Sequence, residues 1–126
     1  SDGSTPLLMA CQQGHLEIAR LLLEADAAVG QARNDGITPL LMACQEGRFD
    51  IVRLLLETSA AVNQAKDDGT TPLCVACQKG HVEVGRLLLG ASAAVDQAKN
   101  DGATPLFMAC GEGQLDCVRL LLEANA

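Results

Sequence analysis

The residues with the most chemical reach in this 126-residue chain are six cysteines and two histidines. "CVAC" at 74–77 sets two thiols at C-x-x-C spacing, "CQQGH" places His15 four residues after Cys11, and "CQKGH" places His81 four after Cys77. Three chemistries use such groups: a metal site, a thiol nucleophile with a histidine base, and a disulfide framework. Structural zinc needs four converging ligands, and no second cysteine pair stands at finger spacing. A catalytic thiolate needs exposure and a lowered pKa. Yet the positions corresponding to His15 and His81 elsewhere in the chain hold Arg48 and Gln114. A site copied along the chain and altered in each copy does not read as catalytic, and no glycine-rich phosphate cradle is present. The sequence therefore predicts no enzyme, no metal and no cofactor.

Cys11, Cys44, Cys77 and Cys110 form a ladder with a spacing of 33 residues. Packed helices lie about 8–10 Å apart, whereas disulfide-bonded Cα atoms must come within ~7 Å, so neighbouring rungs cannot cross-link. Cys110 and Cys117 fall within one unit, but in columns that small or apolar residues fill elsewhere. The expectation is reduced, buried thiols in a reducing compartment.

The spacing of the ladder belongs to the whole chain. "TPLLMACQQG" at residue 5 returns as "TPLLMACQEG" at 38, "TPLCVACQKG" at 71 and "TPLFMACGEG" at 104, and "LLL" returns in the same register. A fixed period of this length marks a solenoid or array. Each unit reads as two short helices and a loop. Thr5 and its copies are candidate N-caps, the following proline suits the first helical position, and Gly14 and its copies can end the helix with positive φ. A second, Leu-rich helix follows, then a turn-rich stretch closing on Asn-Asp-Gly or its variants. Helices this short are marginal alone. Stacking lets each unit cover its neighbour's apolar face.

The bulk numbers fit that picture. Nine basic against 16 acidic residues give a net charge of −7, with no two basic residues adjacent, which speaks against nucleic-acid binding. No apolar run approaches the ~18 residues that would cross a bilayer, and no secretory leader is evident. The expected location is intracellular, in the cytoplasm.

Period 33 with "DGxTPL", then Ala, Gly, "LLL" and "AAV" resembles the ankyrin repeat over essentially the whole chain. The resemblance implies an all-α repeat solenoid over residues 1–126: repeats 2–34, 35–67, 68–100 and 101–126, with β-hairpin or turn fingers and a concave face of fingers and inner helices. The sequence departs from the family in three columns. The family's usual histidine after Thr-Pro-Leu is replaced by Leu8, Leu41, Cys74 and Phe107. Its usual glycine after the outer helix is replaced by Asp26, Ser59, Ser92 and Asn125. The second alanine of the family's "AA" is a cysteine. Asn63 lies where the family's finger asparagine is hydroxylated, though Ala61 stands in place of the usual acidic neighbour. Gly85 and Gly90, in the outer helix of the third repeat, predict that this repeat opens first, since each costs up to ~1 kcal/mol relative to alanine.

Repeats one and two agree at 22 of 33 columns, and the agreement falls on caps, turns and core. Recognition must therefore be written in the remaining columns: Ser4, Ile37, Thr70 and Ala103; Gln13, Glu46, Lys79 and Glu112; Gly30, Asn63 and Asp96. The resemblance places the first two sets on the concave side, beside the finger aspartates and the inner-helix glutamines. The partner-binding candidates are Asp35, Ile37, Gln45, Glu46, Asp68, Thr70, Gln78, Lys79, Asp101 and Ala103, for an unidentified protein partner. The competing reading is a structural repeat scaffold, engineered or excised, with no partner of its own. The near-identity of the repeats and the absence of Trp and Tyr anchors favour it. Apolar surface near Leu16 and Leu115 predicts a monomer that associates weakly end to end.

Overall fold

The computed structural model describes residues 2–126. It contains eight helices: α1 (Pro6–Gln13), α2 (Leu16–Glu24), α3 (Pro39–Gln45), α4 (Phe49–Glu57), α5 (Pro72–Lys79), α6 (Val82–Gly90), α7 (Pro105–Gly111) and α8 (Leu115–Glu123). No strand occurs among the described residues. Each odd-numbered helix packs on the even-numbered helix that follows it and on the next odd-numbered one. The even-numbered helices likewise pack on one another in sequence. The result is a two-layered helical repeat solenoid with one continuous core.

The local signals act as the sequence suggests. Thr5, Thr38, Thr71 and Thr104 are extended at the N-cap, and each Oγ1 accepts the N–H of the residue three positions on at 3.1 Å. The proline after each threonine occupies the first helical turn, where its missing N–H leaves nothing unpaired. After the outer helices, Asp26, Ser59, Ser92 and Asn125 are left-handed, with φ of 65°, 70°, 69° and 68°. A side chain there costs roughly 1–2 kcal/mol, less for Asn and Asp. The closing hydrogen bonds that follow, such as Ala60 N–H to the Leu55 carbonyl at 3.0 Å, offset part of that cost.

The packing corrects one expectation and adds to another. Cys110 is exposed, while Cys11, Cys44, Cys74, Cys77 and Cys117 are buried. The inner rungs of the ladder are covered by the next inner helix, and α7 has no such helix over it. Gly85 has a packing role in the third repeat. It is buried beneath the fourth, and a Cβ there would meet Leu120 Cδ2 at 3.2 Å. The missing side chain makes room for the neighbouring repeat. Gly90, by contrast, faces open space.

Candidate functional site

The fingers begin with a hairpin turn. Arg33 N–H donates to the Ile37 carbonyl, and Gly36 N–H donates back to the Arg33 carbonyl, both at 2.9 Å. The next two fingers repeat this at Lys66 and Lys99. Consecutive fingers join through one backbone hydrogen bond each: Asn34 N–H to the Asp2 carbonyl, Asp67 to Asp35, and Asn100 to Asp68. This approach is so close that a Cβ on Gly69 (φ +88°) would lie 2.6 Å from the Asn100 nitrogen.

The finger aspartates serve the turn itself. Oδ1 of Asp2, Asp35, Asp68 and Asp101 accepts the N–H two residues on, at 2.9, 3.2, 2.9 and 3.0 Å. This is an Asx turn, repeated in all four units. Asp35 also pairs with Arg33 at 2.7 Å. The Arg33 guanidinium and the Ile37 N–H together bring its carboxyl down from 3.8 to about 2. Asp68 is held below its ordinary value chiefly by the Thr70 hydroxyl, which donates to it at 2.6 Å. In the sequence these aspartates read as a row facing a partner. Their recurrence two residues before a fixed position was the signal for the local role.

The residues that follow in this column are buried: Ile37, Thr70 and Ala103 retain 5 %, 4 % and 9 % of their exposure. This corrects the expectation that they offer contact surface. Ile37 and Thr70 instead line a cavity. Asp35, Asp68, Asp101 and Lys79 are exposed, and Gln45, Glu46 and Gln78 half-buried.

That cavity, of ≈ 290 Å³, lies between the second and third fingers and the inner helices α3 and α5. Its polar walls are Gln45, Lys66, Asp68, Gln78, Lys79 and Lys99. It brings together six of the ten expected residues, Gln45, Asp68, Gln78 and Lys79 at its walls with Ile37 and Thr70, and two lysines that the sequence reading did not single out. A larger groove, of ≈ 480 Å³, runs between the outer helices α4 and α6 on a different face, lined mainly by Phe49, Arg53, Leu56 and Leu87. Arg53 sits 5.0 Å over the Phe49 ring, and Gly90 widens the groove where the other repeats carry Glu24, Glu57 and Glu123. It also carries Glu57, Glu83 and Arg86, but none of the ten expected residues lines it, whereas six of them line the polar cavity. We place the candidate site in the smaller, polar cavity.

The column that alternates His15, Arg48, His81 and Gln114 has a shared task in its last three members. Arg48 Nη2 donates to the Gln12 carbonyl at 2.9 Å, His81 Nε2 to the Gln45 carbonyl at 3.1 Å, and Gln114 Nε2 to the Gln78 carbonyl at 3.1 Å. A carbonyl only accepts, so His81 carries its proton on Nε2 in this bond. Three residue types tie the end of one inner helix to the next repeat. Asn63 is also engaged, its Oδ1 accepting the Ala94 N–H at 2.8 Å.

A family model described as ankyrin repeats (3 copies) matches residues 1–66 and again residues 59–126. The chain belongs to the ankyrin repeat family. No curated protein matches the sequence. Ankyrin repeats generally bind proteins and are typically non-catalytic. Five of the six cysteines of this ankyrin array are buried, Cys110 being exposed. Burial pushes the Cys11 thiol up to about 12 and Cys74 to about 11, and it raises Cys44, Cys77 and Cys117 as well. A thiol held protonated is a poor nucleophile. Among the described residues, no group of three His, Cys, Asp or Glu converges as a metal would require, and no helix is long and apolar enough to cross a membrane.

Proposed function

We propose that the chain is a non-catalytic protein-binding module that engages a partner through its fingers and inner helices. One observation carries this reading. The polar cavity draws Ile37, Thr70, Lys66, Lys79 and Lys99 from variable columns onto one surface, beside Gln45, Asp68 and Gln78 from repeated ones. The buried free thiols support a reducing, cytoplasmic setting. The chain acts as a monomer, with weak end-to-end association through the apolar residues exposed on its terminal repeats.

The test is affinity capture from lysate by the chain and by a Gln45→Trp/Gln78→Trp variant. The two indoles fill the cavity mouth without changing charge. A protein held by the first and lost by the second, with unfolding midpoints unchanged, is the expected result. Equal retention by both would move the binding site elsewhere. Empty lanes would favour a scaffold without a partner, the reading that the absence of Trp and Tyr also supports.

A further inference from the structure

All three lysines of this acidic chain line one cavity. Lys66 and Lys99 stand at the same position in consecutive fingers, and Lys79 rises from α5 between them in sequence. In the column of Lys79 the other repeats carry Gln13, Glu46 and Glu112, so the positive charge belongs to the third repeat alone. None of the three lysines forms an ion pair within 4.0 Å among the described residues, although every ion pair present uses an arginine. The only acid lining the cavity is Asp68, and its Oδ1 already accepts both the N–H and the hydroxyl of Thr70. The walls therefore hold three ammonium groups against one carboxylate, which Thr70 already engages and which feels the charges of Lys66 and Lys99, in a molecule whose net charge is −7. Gln45 and Gln78 add amide groups, and Ile37, Leu41 and Val75 add apolar surface. A volume of ≈ 290 Å³ admits one or two side chains of a peptide rather than a large ligand.

We infer that this cavity is an acceptor for an acidic peptide segment of the protein partner, with a Glu or Asp side chain seated among Lys66, Lys79 and Lys99. The inference rests on the proposed binding face and gives it a chemistry. The exposed finger acids alone would suggest a basic partner. Asp35, Asp68 and Asp101, however, are each tied into their own turn, whereas the lysines form no ion pair within 4.0 Å among the described residues.

The full chain is titrated with hexaglutamate, hexalysine and inorganic phosphate at low ionic strength, and backbone amide shifts are followed by NMR. Two variants of equal charge change accompany it. K66Q/K79Q/K99Q removes the cavity lysines, and R20Q/R86Q/R119Q removes three exposed arginines from the outer helices. The expected result is saturable binding of hexaglutamate with shifts at Gln45, Thr70 and Gln78. Binding is weakened roughly tenfold by the lysine changes and by less than about threefold by the arginine changes. Equal weakening by both variants, tighter binding of hexalysine at the same amides, phosphate binding as tightly as the peptide, or no shifts at all would each overturn it. A captured partner lost by Gln45→Trp/Gln78→Trp but kept by K66Q/K79Q/K99Q would leave the binding face standing and remove its acidic preference.

Discussion

The second and third repeats and the first and fourth are nearly the same text in different surroundings. Leu54 and Leu21 occupy one column, yet Leu54 retains 8 % of its exposure and Leu21 64 %. Met42 is buried and Met9 exposed, and Ile51 is buried and Ile18 exposed. At the other end, Phe107 is exposed in the column where Leu41 and Cys74 are sealed. Every large apolar side chain that is exposed among the described residues belongs to the first or the fourth repeat. A residue's contribution here is set less by its own repeat than by whether another repeat covers it.

The largest test of that difference uses matched truncations. Leu54→Ala should cost about 3 kcal/mol, and Leu21→Ala less than about 1 kcal/mol, read as shifts of the urea midpoint. Equal costs would mean that the terminal repeats are packed in solution, as end-to-end association would cause. Hydrogen exchange sharpens the same contrast. The amides of α2 and α8 should exchange before those of α4 and α6. Because Gly85 fits beneath Leu120, the third repeat should not be the first to open, the reverse of what its glycines suggest in sequence.

The thiols report the comparison through pH. Cys11 and Cys44 have folded pKa values raised above the ordinary 9.0 by burial. Their contribution is fully present below pH 9 and declines as pH rises, because the unfolded chain then ionises and the folded one does not. By pH 10 this amounts to on the order of 1 kcal/mol per thiol. Urea midpoints measured between pH 8 and 10 should fall accordingly, and a flat profile would contradict the burial. At pH 8, Cys110 should be the one cysteine that a thiol reagent modifies without unfolding. Rapid modification of Cys44 would contradict the cover that α5 gives it.

Much of this was legible in sequence because it is local. Thr38 caps, Pro39 starts and Gly47 ends a helix within ten residues, and the left-handed residue after each outer helix could be placed from the family's glycine column. What the sequence did not show arises between repeats. Lys66 and Lys99 are 33 residues apart and become neighbours of Lys79 only when the fingers stack. The exposure of Cys110 follows from an absent neighbour, which identical text cannot express. The variation among Arg48, His81 and Gln114 argues in sequence only against a catalytic site. The column's rule is a hydrogen-bond donor long enough to reach a carbonyl of the preceding repeat, a property that three different side chains share.

That rule gives a middle-sized prediction. His81→Leu leaves the Gln45 carbonyl without its donor and should cost about 1 kcal/mol. His81→Gln, which copies Gln114, should be close to neutral. Arg48 makes the same bond but leaves its buried Nε without a partner, so Arg48→His should hold or raise the midpoint. If His81→Leu and His81→Gln were equally tolerated, the rung would carry no energy and the repeats would be joined by apolar packing and the finger hydrogen bonds alone.

The smallest effect separates the two bonds of Asp35. Its Oδ1 holds the Ile37 N–H, and both of its oxygens meet the Arg33 guanidinium. Asn at this position keeps an oxygen for the Asx turn and loses only the ion pair. Because the pair is solvent-exposed, Asp35→Asn should change stability at pH 7 by no more than a few tenths of a kcal/mol. The difference should appear in acid. The folded carboxyl titrates at about 2 against 3.8 when free, so its contribution is present above pH 3.8 and is lost as pH falls toward 2. Asp35→Asn should flatten that part of the profile, while Asp35→Ala, which also breaks the turn, should lower stability at every pH. If Asn and Ala behaved alike at pH 7, the ion pair rather than the turn would be what the finger aspartate supplies.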